Sequence, residues 1–170
     1  MTNATTGLDR FVALSVALTG VDASQLKPDI DPIQIADQYY QLLHDSVRVG
    51  THVSQTIDSL LETNEQRAGT TGPDHAVEFI LADKNFGPIA RSILKLWLLG
   101  TWYDPENPDN PRDPFVVSAQ AYKESLVWKV MQSHPMGYSM FSFGYWAKEP
   151  PAFEQFITFD PSTQGGTYHG

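Results

Sequence analysis

A chain of 170 residues, with eleven Lys and Arg against twenty Asp and Glu and a formal net charge of -9, is the size of one domain that buries roughly two-thirds of its unfolded surface without covalent staples. The negative balance argues against nucleic acid or an anionic membrane surface as the main partner, and with no cysteine a disulfide is excluded. No window approaches the ~18 apolar residues of a membrane span. Residues 1–7 carry neither a basic region nor an apolar run, so the chain reads as soluble and without an export signal.

The predicted elements are helices. In 8–18, Phe11, Leu14 and Leu18 recur at i, i+3 and i+7, and Gly20 stands where a left-handed cap belongs. Residues 21–31 read as a loop closed by Asp31-Pro32, an N-cap followed by proline at the first helical position. A longer helix then carries the stripe Ile35, Tyr39, Leu42, Ser46 and Val49 and stops at Gly50. Val53, Ile57, Leu60 and Leu61 define a third helix, which frays into the polar 63–69 stretch. Thr70-Thr71-Gly72-Pro73-Asp74 punctuates before a short helix over 75–82, with Val77, Ile80 and Leu81 inward.

Residues 88–100 are the organising stretch. Ile89, Ile93, Leu96, Trp97 and Gly100 share one helical face, and Leu94, Leu98 and Leu99 widen it, leaving only Arg91 and Lys95 on a wet side. A helix so nearly apolar all round is central to the core, with Pro88 suited to its start and Gly100 to its end. Pro105, Pro108, Pro111 and Pro114 then exclude helix and predict a surface loop. A last helix over 117–131 stacks Tyr122, Leu126 and Val130, with Ser118 as its cap and Pro135 beyond its end. The expectation is therefore an all-α fold, a compact bundle of about five or six helices. Residues 1–135 form the helical domain, and 136–170 form an extended, aromatic-rich C-terminal arm.

That arm crowds Met136, Tyr138, Met140, Phe141, Phe143, Tyr145, Trp146, Phe153, Phe156 and Phe159 into a stretch broken by Gly137, Gly144, Pro150 and Pro151. No helical or strand period fits it. So much apolar area in an irregular arm is suited to lying on another protein. Its partner-binding residues are expected to be Met136, Tyr138, Met140, Phe141, Phe143, Tyr145, Trp146, Phe153 and Phe156, with Phe141, Phe143, Tyr145 and Trp146 as anchors. The alternative is that the rings close the subunit's own core.

Motifs for chemistry are sparse. His44, His52, His75, His134 and His169 fall at no metal-ligand spacing, and no Gly-rich loop joins a strand to a helix. Ser15, Ser92 and Ser125 lie mid-helix without the elbow a nucleophilic serine needs. Asp104, Glu106, Asp109 and Asp113 sit among prolines rather than in a calcium-loop pattern, which favours a solvated acidic loop. Trp97, Trp102 and Tyr103 are read as packing residues first, with a sugar-stacking platform as the alternative. No catalytic, cofactor-binding or metal-binding residue is assigned.

Three segments in order, Phe11-Val-Ala-Leu-Ser-Val-Ala-Leu-Thr-Gly20, Ile93-Leu-Lys-Leu-Trp-Leu-Leu-Gly100, and Ala121-Tyr-Lys-Glu-Ser-Leu126 followed by Tyr145-Trp-Ala-Lys-Glu-Pro150, together resemble the small (gamma) subunit of bacterial FAD-dependent sugar and polyol dehydrogenases. The resemblance spans about 8–151. It implies a non-catalytic helical subunit that binds, stabilises and helps mature a flavoprotein large subunit of the glucose-methanol-choline type. FAD then belongs to the partner, and a cytochrome c subunit is a further possible member of the complex. The alternative is a stand-alone sugar-binding protein or enzyme using Trp97, Trp102 and Tyr103. In that family a twin-arginine signal usually takes the complex to the periplasm. No twin arginine precedes Phe11 here, so the expected location is periplasmic if the chain is exported with its partner and cytoplasmic otherwise. The 139–142 stretch also lacks the cysteine some relatives carry, which excludes a disulfide to the partner.

Overall fold

The computed structural model describes residues 6–106, 114–131 and 133, and in them the apolar stripes of the sequence join into one core. Helix α1 (Gly7–Thr19) opens on a capping box: Thr6 Oγ1 accepts the Asp9 N–H at 3.2 Å, and the Asp9 carboxylate accepts the Thr6 N–H at 3.3 Å. It ends at Gly20, whose φ of 71° is left-handed. Phe11, Val12, Leu14 and Ser15 are its buried face.

The 21–31 stretch, expected as loop, holds a single helical turn, α2 (Ala23–Leu26). Asp22 caps that turn by accepting the Ser24 N–H at 2.8 Å, and Leu26 pins it to the core. Asp31 does not cap the next helix as expected. Its Oδ1 accepts the N–H groups of Ile33 and Gln34 at 2.9 and 2.7 Å, closing a turn in which Gln34 takes a φ of 55° before α3 (Ile35–His44) begins. The expected continuation to Val49 is also broken, because Asp45 accepts from Val47 and Arg48 and so starts a new turn, α4 (Ser46–Val49). Ser46 is exposed, whereas Ile35, Tyr39, Leu42 and Val49 are buried.

The third helix does not fray. Helix α5 (Thr51–Thr71) runs straight through the polar stretch, where Asn64 is buried, Glu65 pairs with Arg10 at 2.7 Å, and the Arg67 guanidinium lies 3.3 Å from the Phe79 ring centroid. Gly72, with φ 92°, separates it from α6 (Pro73–Ala82), which has Pro73 in its first turn. Ala76 and Ile80 are the buried residues of α6, while Val77 and Leu81 are half-buried.

Helix α7 (Phe86–Leu99) starts two residues before Pro88, because Asp83 Oδ1 accepts the Asn85 and Phe86 N–H groups at 2.8 and 2.9 Å and turns the chain there. It packs on α1, α5, α6, α9 and the strand that follows it. Ile89, Ala90, Ile93 and Leu96 are at most 1% exposed. At about 1.5–3 kcal/mol for each large apolar side chain, this stripe is a principal source of core stability. Where a surface loop was expected, β1 (Thr101–Trp102) and β2 (Phe115–Val116) pair as an antiparallel ribbon, Thr101 opposite Val116 and Trp102 opposite Phe115. The expected last helix is two pieces, α8 (Ala119–Glu124), capped by Ser118, and α9 (Leu126–Val130). Ser125 breaks them with ψ 139°, its hydroxyl donating to the Tyr122 carbonyl at 2.9 Å. Ala121 and Leu126 therefore face the core, and Val130 does not. No helix among the described residues is long and apolar enough to cross a membrane.

The turn aspartates make an acid-sensitive element. Backbone hydrogen bonds from Phe86 and then Asn85 hold Asp83 below the ordinary value of 3.8. The hydroxyl of Thr6 and the ammonium of Lys27 do the same for Asp9. A carboxylate depressed in the folded state contributes stability above its unfolded value, and that contribution is lost as pH falls through the folded value. Urea midpoints measured from pH 6 to pH 2.5 are expected to fall on the acid side, below about pH 4. Asp83→Asn should lower the midpoint at pH 6 and flatten the acid limb; an unchanged acid limb would show that the turn is not coupled to folding.

Candidate functional site

Residues 11–20, 93–100 and 121–126, which carry most of the resemblance, are far apart in sequence and meet around Trp97 and Gly100, while 145–150 lies outside the described residues. The Trp97 indole N–H donates to Ser15 Oγ at 2.9 Å, and Ser15 in turn donates to the Phe11 carbonyl at 2.7 Å. Its ring stacks on Phe11 at a centroid distance of 6.2 Å and takes Tyr39 edge-on at 4.9 Å. Burial, and then the nearby Glu124 carboxylate, push the Tyr39 phenol above its ordinary ionisation range, so it stays neutral. One turn on, Gly100 sits against the first turn of α8, where any Cβ would overlap the Ala121 carbonyl. Phe11, Ser15, Trp97, Gly100 and Ala121 are thus a packing node joining α1, α7 and α8. A serine in an otherwise apolar helix, four residues after Phe11, was the sequence signal for it.

This placement bears on each residue weighed for chemistry. Trp97 and Trp102 are 4% and 2% exposed, so neither offers a ring face to a sugar. Tyr103 is only half-buried, with Lys95 Nζ 5.1 Å from its ring centroid. The cluster is therefore not gathered on the surface. Trp102 also has a buried indole N–H without a partner among the described residues. Ser15, Ser92 and Ser125 are all buried, and the Ser15 and Ser125 hydroxyls donate to main-chain carbonyls rather than to a base. His44 bonds to the Tyr40 carbonyl at 2.9 Å and to Asp58 at 3.2 Å. His75 meets Glu78 at 3.2 Å on an exposed turn, and His52 lies on the open surface. Among the described residues no group of three or more His, Asp or Glu could hold a metal ion.

Two open grooves flank Glu106. One, of about 930 Å³, runs between α4 and the ribbon and is bordered by Arg48, Gly50, Trp102, Asp104 and Phe115. The Arg48 guanidinium lies 4.9 Å from the Phe115 ring centroid at its edge. The other, of about 300 Å³, is lined by His52, Lys84, Asn85, Pro88 and Pro105. The expected partner-binding residues Met136, Tyr138, Met140, Phe141, Phe143, Tyr145, Trp146, Phe153 and Phe156, together with His134 and His169, lie outside the described residues. No protein-family model, curated protein or solved structure matches this chain.

Proposed function

We propose that this chain is a non-catalytic accessory subunit that binds and stabilises an FAD-dependent oxidoreductase large subunit of the glucose-methanol-choline type, contributing no redox group. The observation that carries the reading is where the large apolar side chains fall along the chain. Within the described residues the core is filled by α1 to α9 and the ribbon, around Trp97, while a further series of aromatic and Met side chains follows from Met136 onward. A run of large rings is suited to a protein interface, where aromatic anchors supply most of the binding energy. The resemblance of 11–20, 93–100 and 121–126 to the small subunits of sugar and polyol dehydrogenases supplies the class of partner. It also implies periplasmic delivery when the pair is exported together and the possibility of a cytochrome c subunit beside it.

The test is co-expression of the full chain with an FAD-dependent large subunit of the glucose-methanol-choline type. Size exclusion is expected to show one species carrying flavin absorbance, and the large subunit made alone is expected to be less soluble and flavin-poor. A large subunit that folds, loads flavin and turns over equally well without this chain would contradict the proposal.

A further inference from the structure

We propose that the groove between α5 and α6 binds a small molecule joining one carboxylate to an aromatic ring, with Arg67 taking the carboxylate; this site does not depend on the accessory-subunit reading. The two helices pack together, and the groove they leave, of about 480 Å³, is lined by Arg67, Phe79 and Phe86 with Gln66 and threonines of α5. That volume lies within the roughly 300–1,000 Å³ of small-molecule sites. Phe79 is 37% exposed, and Phe86 is half-buried against the core, so both offer apolar surface to the body of a ligand. The Arg67 guanidinium carbon lies 3.3 Å from the Phe79 ring centroid. At that separation it stacks flat, because a tilted guanidinium would drive a nitrogen into the ring. Its N–H groups then lie around the edge, where a carboxylate takes two of them in parallel.

Two further facts select the ligand. The first is charge. Among the described residues Arg67 is the one charged side chain lining this groove, in a chain of net charge -9. Cations at the other grooves share them with acids: Arg48 with Asp104 and Glu106, Lys84 with Glu106, and Lys129 with Asp31 and Glu124. The acids nearest in sequence, Glu62, Glu65, Asp74 and Glu78, do not line it. Glu62 and Glu65 pair with Arg10 and Glu78 with His75, while Arg67 enters no ion pair among the described residues. The second is the supply of donors. The hydroxyls of Thr63, Thr70 and Thr71 donate to the carbonyls of Ser59, Gln66 and Arg67 at 2.7, 2.8 and 3.0 Å. That leaves the Arg67 guanidinium and the Gln66 amide, enough for one carboxylate but too few for the backbone of a peptide or the oxygens of a phosphate. A guanidinium already held on a ring loses little further freedom when the anion arrives.

The experiment titrates phenylacetate into the isotope-labelled full chain and follows the backbone amide signals. Saturable shifts are expected at 63–71 and 79–86, with a dissociation constant on the order of millimolar for so small a probe. Phenylacetamide has the same shape without the charge and should bind roughly tenfold or more weakly. Arg67→Gln, which keeps a good helix former on α5, should weaken phenylacetate to the level of the amide. Arg48→Gln, which alters the guanidinium stacked on Phe115, should leave binding within about twofold of the parent. The comparison of acid with amide is made on the parent chain, so it decides the matter even if Arg67→Gln perturbs the helix. Absence of a saturable shift, shifts centred on other segments, or equal binding of acid and amide would overturn the proposal. A parent that dimerises through this groove, with the dimer lost in Arg67→Gln, would assign it to a second copy and overturn it as well.

Discussion

Replacement of Trp97 by Ala is expected to destabilise the protein by about 3–5 kcal/mol, the range for removing a buried large ring whose neighbours cannot collapse into the space. The ring is 4% exposed, stacked on Phe11 and edge-on to Tyr39, so its loss separates α1, α3 and α7 at once. Its N–H adds a second contribution, which a pair of Trp→Phe variants isolates. Trp97→Phe removes a hydrogen bond to Ser15, whereas Trp102→Phe removes an N–H that has no partner among the described residues. Both swaps lose similar volume from buried positions, so Trp97→Phe should cost about 1–2 kcal/mol more than Trp102→Phe. Urea unfolding of the three variants measures this, and equal costs for the two Phe variants would show that the Ser15 contact contributes nothing net.

Gly100→Ala is the second large effect. The position has φ 64° and ψ 18°, left-handed backbone that costs a residue with a Cβ about 1 kcal/mol. A Cβ would also overlap the Ala121 carbonyl and approach the Tyr122 nitrogen to 2.8 Å, and backbone atoms of a capped helix have little freedom to yield. Overpacking adds roughly 1–3 kcal/mol, so the total is about 2–4 kcal/mol and the melting temperature of a chain this size should drop by about 4–16 °C. Gly20→Ala is the control. Its φ is 71°, but nothing lies within 4 Å of the added Cβ, so only the conformational cost remains. If calorimetry gives the two variants the same melting temperature, the close approach of α7 and α8 is not tight in solution.

The helix ends at Gly20, Gly50 and Gly100 were legible in the sequence because a left-handed or otherwise positive φ is a property of one residue, and glycine alone adopts it freely. The central helix was legible because its apolar stripe exceeds what a half-exposed helix carries. The breaks at Asp45 and Ser125 were not, since each comes from a polar side chain bonding to nearby backbone, which apolar periodicity does not register. The continuation of α5 through 62–71 escaped reading because it buries Asn64 in place of an apolar residue and is held from outside, by Arg10 on Glu65 and by Phe79 beneath Arg67. Ribbon strands of two residues are too short to show a period of two. As for the candidate site, periodicity could place Trp97 in the core but not its bond to Ser15. The exposure of Val130 follows from the Ser125 break, which turns it away from the core stripe it was expected to share with Leu126.

The most direct measurement for the accessory-subunit account separates binding from folding at the arm. Aromatic anchors fix few rotatable bonds while removing large apolar areas from water, and truncating a buried one typically costs ~2 kcal/mol or more of affinity. On the proposed reading, Pro150 and Pro151, whose rings fix φ, would reduce the entropy lost when the arm docks. The double variant Phe143→Ala with Trp146→Ala is therefore compared with the parent in two assays: thermal unfolding of the lone subunit, and retention of the FAD-containing large subunit on size exclusion after co-expression. The account predicts an unchanged melting temperature for the lone subunit and loss of the flavin-bearing complex. A lone subunit that melts well below the parent, with the complex weakened only in proportion, would place these rings in the subunit's own core and contradict it.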